Sequence, residues 1–404
     1  MGASLRGLSL PAGRGGVLPD RLLGDAIHEG IIDAGKFTIP SENVQPASLA
    51  LRLGETAYRI RCSFLPGAHP VESKMKDLVI SELDLRREGA VLETNLPYLV
   101  PLKECLSLPP DLRAKANPKS STGRADVFTR VITDRGVRFD EIAAGYHGQL
   151  YLEVVPLSFP VRVREDLSLN QLRISAGDSR LTDAEIRQAH DEAGILYQGG
   201  RPLGSAELDV SSGLFLDLDL RGRHQGRIGY RARRSAPLLD MTKLRVADPD
   251  RFWDPVVPED GDRIVLYPKD FYLLMSYEGV SIPPNLAAEM TAYDPTSGEL
   301  RTHYAGFFDP GFGFDTDPQS RGSTAALEVR AHDIPFMVEH RQPVCKLTFE
   351  RMIEEPASVY GQRGASHYQF QTEVLGKHFR WSAADRPDAA PPADGVDTEP
   401  GLQR

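Results

Sequence analysis

Residues 104–114 read Glu-Cys-Leu-Ser-Leu-Pro-Pro-Asp-Leu-Arg-Ala, and residues 278–288 read Glu-Gly-Val-Ser-Ile-Pro-Pro-Asn-Leu-Ala-Ala. The two runs align without a gap at an offset of 174 positions. A second match joins residues 152–154 to residues 327–329, both Leu-Glu-Val, at an offset of 175. Two ungapped matches at nearly the same offset are hard to obtain by chance. The sequence therefore predicts two tandem copies of one fold.

Short runs of alternating polarity, broken by turn residues, indicate that each copy is mainly β. Residues 58–100 are a series of such runs, and in residues 214–220 leucine alternates with Phe215, Asp217 and Asp219 in a strict period of two. Regularly spaced short strands favour a β-barrel or jelly roll over alternating βαβ units. Each copy is predicted to open with a short helix, at residues 18–28 and again from Leu181, where Thr182 and Glu185 form a capping box.

A run of small residues at 175–179 marks the predicted boundary between the copies. We expect a flexible leader at residues 1–16, a first domain at 17–178, a second domain at 179–382 and a disordered tail at 383–404. The tail is rich in Pro, Ala and Asp and lacks aromatic residues beyond Trp381, which is typical of a segment that cannot bury a core.

Composition excludes several function classes. A formal net charge of -10 argues against a nucleic-acid partner. The chain has three well-separated cysteines, so a disulfide framework is not indicated and a reducing cytoplasm is expected. An apolar run near the ~18 residues of a membrane span is absent from the sequence, and we expect no membrane partner.

The first copy contains a predicted anion cradle. Residues 118–124 read Pro-Lys-Ser-Ser-Thr-Gly-Arg, in which proline and serines suit the start of a helical turn whose free N–H groups attract an anion. A capped surface helix is the alternative interpretation. In the second copy Pro295, Ser297 and Arg301 keep the spacing, but Gly298 replaces the second serine. The second cradle is therefore eroded.

Carboxylates follow at repeated places. Glu153 and Glu328 each end a strand-like run, and Asp309 lies in the turn Phe-Asp-Pro-Gly-Phe-Gly at residues 308–313. Such a glutamate is either solvated at a strand end or held for chemistry. A buried carboxylate with a raised pKa can shuttle protons.

These motifs resemble those of the trimeric dUTPase and dCTP deaminase superfamily, and of its dCTP deaminase branch in particular. Residues 119–124 resemble the family's Arg-Ser-Ser-x-x-Arg phosphate motif, and residues 308–313 resemble its Ile-Asp-Pro-Gly-Trp-x-Gly turn. Residues 326–328 are similar to the strand that bears the catalytic glutamate. Residues 360–371 resemble the Tyr…Lys-Tyr-x-x-Gln segment that closes over the nucleotide. The resemblance covers most of both copies and implies two dUTPase-like domains.

The resemblance implies hydrolytic deamination of dCTP to dUTP and ammonia, with Glu328 as the catalytic residue. It also implies the following substrate-binding residues: Lys119, Ser120, Ser121, Arg124, Asp309, Ala326, Leu327, Tyr360, His367 and Gln371. Arg124 would bind the triphosphate bidentately. Mg²⁺ would accompany the triphosphate as a hydrated ion that bridges phosphate oxygens.

The two copies depart from the family pattern in complementary ways. In the first, Ala143 replaces the turn aspartate, and Glu153 is expected to be vestigial. In the second, the phosphate motif is damaged and His367 stands where the family has lysine. Family sites lie between subunits, so these losses imply a composite site with phosphates on the first domain and chemistry on the second. The chain would be a monomer with pseudo-oligomeric domains or a homo-oligomer.

Zinc is not expected to take part. Zinc deaminases carry a His-x-Glu and Pro-Cys-x-x-Cys pattern, and this chain lacks the cysteine pair. His190 and Glu192 have the matching letters, but the segment is interpreted as a surface helix with a structural role. Two alternatives to dCTP deamination stay open at this point: dUTP diphosphatase activity, alone or combined, with Asp309 activating water, and a non-catalytic nucleotide-binding regulator.

Overall fold

The computed structural model describes residues 8, 10, 15–221, 226–292, 300–302, 306–315, 322–331, 333–362, 367–371 and 373–380. The predicted tail and the eroded cradle residues Pro295, Ser297 and Gly298 lie outside these ranges, as does most of the predicted leader. Among the described residues, no helix is both long enough and apolar enough to cross a membrane.

The first copy is built mainly of strands. Its elements in chain order are β1 Gly16–Val17, α1 Asp20–His28, β2 Ile32–Asp33, β3 Leu49–Leu51, β4 Thr56–Ile60, α2 Val71–Met75, β5 Val79–Asp84, β6 Ala90–Leu92, β7 Tyr98–Ser107, β8 Leu112–Pro118, α3 Ser120–Gly123, β9 Val127–Thr133, β10 Glu141–Ile142, β11 His147–Pro156, β12 Val161–Val163 and β13 Asn170–Ala176. One sheet has the order β1-β13-β8-β10, with β3 also on β13. A second has the order β5-β4-β7-β11-β9, with β2 also on β7.

The second copy follows the same plan. Its elements are α4 Asp183–Ala193, β14 Leu196–Gln198, β15 Arg201–Pro202, β16 Leu214–Asp217, β17 Gly229–Ala232, β18 Leu239–Asp240, β19 Trp253–Val256, β20 Arg263–Leu266, β21 Tyr272–Val280, β22 Leu286–Ala292, β23 Leu300–Thr302, β24 Phe307–Phe308, β25 Ser323–Ala331, β26 Phe336–Glu339 and β27 Pro343–Arg351. One sheet runs β15-β14-β21-β17-β19, with β25 and then β23 added at β21. Another runs β16-β27-β22-β24.

The repeat found in the sequence is a repeat of strand pairing. β11 pairs with β7 so that Glu153 faces Leu99, and β25 pairs with β21 so that Glu328 faces Leu273. β8 pairs with β13, and β22 pairs with β27, in the same antiparallel manner. The fold is therefore mainly β and duplicated, as predicted.

Local sequence signals explain several elements. Thr182 and Glu185 form the predicted reciprocal capping box at the start of α4. The leucines at 214, 216, 218 and 220 are fully buried, and the residues between them are partly exposed. This alternation is the one expected of a strand with a single buried face. The strand itself ends at Asp217, where its pairing with β27 shifts register.

Two sequence interpretations were wrong in detail. Glu153 and Glu328 do not end their strands, because β11 continues to Pro156 and β25 to Ala331. His190 is not a surface residue, since it is only 4% exposed. Its Nε2 lies 2.7 Å from the carbonyl oxygen of Leu203, and its Nδ1 accepts the N–H of Ile195 at 3.1 Å. The imidazole is therefore a buried structural group.

One of the hydrophobic clusters, which contains the first-copy core, is shared by the two copies. Phe159 of the first copy is fully buried, and its ring centroid lies 5.3 Å from that of Phe252 and 5.1 Å from that of Trp253. Phe379, near the end of the described chain, packs edge-on against both of these second-copy rings. Strand β12 of the first copy also pairs in parallel with β18 of the second. Such a shared core fixes the two copies relative to each other.

Replacing Phe159 with alanine should lower the free energy of unfolding by about 3–5 kcal/mol, because it removes a large ring and leaves a cavity where both copies meet. Denaturant unfolding followed by fluorescence and circular dichroism should show one transition for both copies. As a control, Val257→Ala at a 61% exposed position should change stability by no more than about 0.5 kcal/mol. Two separate transitions in the unaltered protein would contradict the shared core.

Candidate active site

A cavity of about 290 Å³ is lined by residues from both copies. The first copy contributes Lys119, Ser120, Ser121, Gly123 and Arg124, and the second contributes Asp309, Ala326, Glu328, Tyr360, His367 and Gln371. All the predicted substrate-binding residues except Leu327 line this cavity, together with the predicted catalytic residue. The structure thus brings the cradle of one copy to the carboxylates of the other.

The cradle is a rigid turn at the end of β8. Lys119 has extended backbone angles and precedes the four-residue helix α3. The carbonyl of Leu169 accepts the backbone N–H of Lys119 at 3.0 Å and the hydroxyl of Thr122 at 2.8 Å. These bonds fasten the turn to the neighbouring chain segment. Ser120 and Ser121 are thereby held at the cavity surface.

The carboxyl group of Glu328 lies directly against the cradle. A Cβ atom placed on Gly123 would be 2.7 Å from Oε1 of Glu328, so only glycine allows this approach. Glu328 is 8% exposed, and no residue in the described part of the chain hydrogen-bonds its carboxyl. Burial raises the pKa of Glu328 to about 8, although the nearby charge of Arg124 lowers it. A carboxyl group with such a pKa can take up and release a proton near neutral pH.

A buried ion pair ties the two sides of the cavity together. Asp126, two residues after Arg124, is fully buried and binds the guanidinium of Arg330, which lies two residues after Glu328. Asp126 also accepts the hydroxyl of Ser158 at 2.5 Å, and Arg330 donates to the carbonyl of Lys269 at 2.7 Å. Both charges therefore have further polar partners, as buried charges require.

First-copy residues hold the turn aspartate. One oxygen of Asp309 accepts the hydroxyl of Ser48 at 3.2 Å, and the other lies 3.4 Å from the guanidinium of Arg173. Burial raises the pKa of Asp309, and the Arg173 charge opposes that rise. Sequence reasoning missed Ser48 and Arg173, because neither lies in a recognisable motif and both reach Asp309 only through the packing of the copies.

Residues 367–371, here called the closing segment, contribute His367, Tyr368 and Gln371 to the cavity lining. The guanidinium of Arg124 lies 3.9 Å from the ring centre of Tyr368 and donates to the side-chain oxygen of Gln371 at 2.7 Å. Gln371 in turn donates to the carbonyl of Thr324 at 2.6 Å. Gln369 bridges the N–H of Gly313 and the carbonyl of Gly311, which anchors the segment to the aspartate turn. Arg124 thus organises this segment, in addition to its predicted role toward phosphate.

The hydroxyl of Tyr360 accepts the N–H of Tyr368 at 3.3 Å, and its ring packs edge-on against Phe312. Tyr360 therefore helps to fix the backbone of the same segment.

The structure places Leu327 and Glu153 away from the cavity. Leu327 is fully buried in the second-copy core, because alternate residues of β25 point to opposite faces and its neighbours Ala326 and Glu328 line the cavity instead. Glu153 is 1% exposed and is bound by Arg130 at 2.8 Å and by Ser63 at 2.5 Å. Its carboxylate is held in a structural ion pair, so the two equivalent glutamates differ in their surroundings.

One end of the cavity is cationic. Lys119, His367 and Lys377 line it together. Burial and the neighbouring charge of Lys377 lower the pKa of Lys119 to about 8. Burial and the same lysines lower the pKa of His367 to about 4. Sequence reasoning missed Lys377, since it lies six residues beyond Gln371 and outside the resembling segment. Within the described ranges, no group of three or more His, Cys, Asp and Glu residues is placed to hold a metal ion.

Comparison with known proteins identifies relatives of both copies. Residues 14–178 match the family described as the N-terminal domain of 2'-deoxycytidine 5'-triphosphate deaminase, and residues 182–379 match its C-terminal domain. The dCTP deaminase of Natronomonas pharaonis is 31% identical over 185 residues, which cover 44% of this chain and 90% of that protein. The dCTP deaminase of Halorubrum lacusprofundi is 29% identical over 158 residues, covering 39% of this chain and 75% of that protein.

A solved structure extends the similarity to both copies. The crystal structure of 2'-deoxycytidine 5'-triphosphate deaminase from Agrobacterium tumefaciens superposes with a TM-score of 0.78 at 43% sequence identity. The match covers 85% of this chain and 99% of that chain. Both family domains occur here in order, and they account for the two copies that the repeat revealed. The chain therefore belongs to the 2'-deoxycytidine 5'-triphosphate deaminase family.

Proposed function

We propose that this chain hydrolyses dCTP to dUTP and ammonia at a composite site formed by its two copies. One observation carries the proposal: the carboxyl group of Glu328, from the second copy, lies against Gly123 in the cradle of the first. A nucleotide in this cavity would have its phosphates at Ser120 and Ser121 and its base beside Glu328. The names of the related proteins support dCTP as the substrate.

In this mechanism Glu328 moves protons between water and the cytosine ring. As a carboxylate it takes a proton from water while the water oxygen bonds to C4, and it passes that proton to N3. The proton of the new C4 hydroxyl then moves to the amino group, the C4–N bond breaks, and ammonia leaves. A carbonyl forms at C4 and N3 keeps its proton, so dUTP results. The raised pKa of Glu328 suits both halves of this transfer.

The donor atoms support a reaction without zinc. Structural and catalytic zinc sites use sets of His, Cys and carboxylate ligands, whereas the carboxyl of Glu328 meets Gly123 and Asp309 is bound by Ser48 and Arg173. Magnesium is proposed as part of the substrate, bound to triphosphate oxygens and water.

Because one chain contributes both sides of the cavity, we propose that the site is complete within a monomer with pseudo-oligomeric domains. The three cysteines are free, which supports a reducing, cytoplasmic location. The proposed domain limits stay at residues 17–178 and 179–382.

The direct test is to incubate the protein with dCTP or dUTP and to follow ammonia and pyrophosphate separately. Ammonia from dCTP without pyrophosphate is the expected result. Pyrophosphate release from dUTP would instead point to water activation by Asp309, and release of neither product would point to a nucleotide-binding regulator.

Glu328→Gln should lower kcat for ammonia release by about 10²–10⁴-fold, the usual contribution of general acid–base catalysis, while dCTP binding measured by calorimetry persists. Because burial raises the pKa of Glu328, this group stabilises the fold less as pH rises from about 4.5 to about 8. At pH 9 the variant should therefore melt at or above the temperature of the unaltered protein. Undiminished ammonia release would remove Glu328 from the mechanism.

The pH profile of kcat/KM should peak near pH 8. The rising limb reflects ionisation of Glu328, with a pKa of about 8, to its water-activating form. The falling limb reflects loss of the Lys119 charge, whose pKa is also about 8. Lys119→Arg keeps the charge at all these pH values and should move the falling limb to higher pH while the rising limb stays in place. A profile that is flat from pH 6 to pH 9 would contradict both assignments.

Gly123→Ala should lower kcat/KM by about 100-fold, because the new methyl group would displace the Glu328 carboxyl, and small misplacements of catalytic groups are costly. Gly24→Ala is the matched control, since no heavy atom lies within 4 Å of its added Cβ. It should leave activity unchanged and increase helix stability by up to about 1 kcal/mol. Equal activity of the two variants would show that the Gly123 contact has no role in catalysis.

A further inference from the structure

Two ammonium groups line the cavity, and the carboxylate of Asp309, whose charge acts on Lys119, is itself held by Arg173. Lys119 and Lys377 are both half-buried at its cationic end. Within the described part of the chain, neither Nζ atom has an ion-pair or hydrogen-bond partner. Burial of an unpaired charge is costly, so two such groups in one cavity indicate that the bound ligand supplies negative charge.

His367 does not add a positive charge to these two lysines. The family resemblance puts a lysine at this position, but the pKa of His367 is lowered to about 4 by burial and by the charges of Lys377 and Lys119. Its imidazole is therefore neutral at physiological pH. The charge of Lys377 lowers the pKa values of both Lys119 and His367, and all three residues line the same cavity. Lys377 therefore lies near the place where the family's lysine would be.

The backbone around Lys377 is held firmly in place. The carbonyl of Val374 accepts the Arg124 guanidinium at 3.2 Å, and the N–H of Lys377 donates to the hydroxyl of Tyr368 at 3.1 Å. Gly376 packs against the Arg124 side chain. Val374, Leu375 and Phe379 are buried in the shared core on either side. Lys377 therefore lines the cavity from a backbone that hydrogen bonds hold in place. It lies close to Arg124, which also contacts the closing segment.

We propose that Lys377 is a substrate-binding residue that contacts the nucleotide's phosphates in place of the lysine absent at position 367. With Lys119 it forms a pair of ammonium groups that selects a nucleoside triphosphate over the monophosphate of the same nucleoside. This inference rests on the proposed function, because it assumes that a nucleotide occupies the cavity with its phosphates at the cradle.

Calorimetric binding of dCTP and dCMP tests the proposal, measured in the Glu328→Gln background so that dCTP is not consumed. Adding Lys377→Gln should weaken dCTP binding by about tenfold or more, as expected for the loss of a charge-assisted contact. Binding of dCMP should change by about twofold at most. Lys76→Gln, an exposed lysine of the first copy, removes the same charge away from the cavity and should leave both affinities unchanged.

Restoring the lysine at the family's position gives a second readout. The double change His367→Lys with Lys377→Gln should recover the preference for dCTP over dCMP. Unchanged dCTP affinity in Lys377→Gln, or an equal loss of affinity for dCMP, would overturn the proposal. If the double variant does not regain the preference for dCTP, Lys377 does not take the place of the family's lysine. Failure of the proposed function is distinguishable, since it appears as absence of ammonia from the unaltered protein with dCTP, whatever the affinities.

Discussion

The contact between the Glu328 carboxyl and the backbone of Gly123 is the constraint on which the rest of the site depends. It joins the two copies at the point where a base and a phosphate chain would meet, and it leaves the carboxyl buried with its pKa raised to about 8. The Asp126 and Arg330 ion pair lies two residues further along each chain segment and binds the same two elements together. Loss of either partner of such a pair is costly, because it leaves the other charge buried and unpaired. The aromatic rings packed around Trp253 also hold the two copies together.

Duplication allowed the two copies to diverge in opposite directions. In the first, Glu153 is paired with Arg130 and Ser63, whereas no described residue hydrogen-bonds the carboxyl of its counterpart Glu328, whose pKa is raised to about 8 by burial. Equivalent residues have also diverged where the two copies meet: Lys115 binds Glu289, its counterpart in the repeat, at 2.6 Å. Residues that would be identical in a symmetric oligomer have become complementary within one chain, and the composite cavity contains both the first-copy cradle and Glu328.

Several side chains organise the cavity from outside the family motifs. Ser48 and Arg173 fix Asp309, Gln369 joins the closing segment to the aspartate turn, and Lys377 brings a charge that the histidine at 367 cannot provide. Arg124 connects several of these features, because its guanidinium stacks on Tyr368 while it donates to Gln371 and Val374. The closing segment therefore packs in the second-copy core through Tyr368 and also lines the cavity.

The amino-acid pattern alone was enough to predict the duplication, the mainly β fold, the capping box of α4 and a minority of the residues that line the cavity, among them the cradle and Glu328. These features depend on local periodicity and on motifs of adjacent residues, both of which are legible in a single chain. The packing of distant segments was needed to show that Glu328 is buried without a hydrogen-bond partner among the described residues while Glu153 is paired, that Leu327 packs in the core, and that Ser48, Arg173 and Lys377 reach the site. The physical reason is that burial, charge pairing and pKa are set by neighbours from distant segments, and those neighbours are brought together only when the two copies pack against each other.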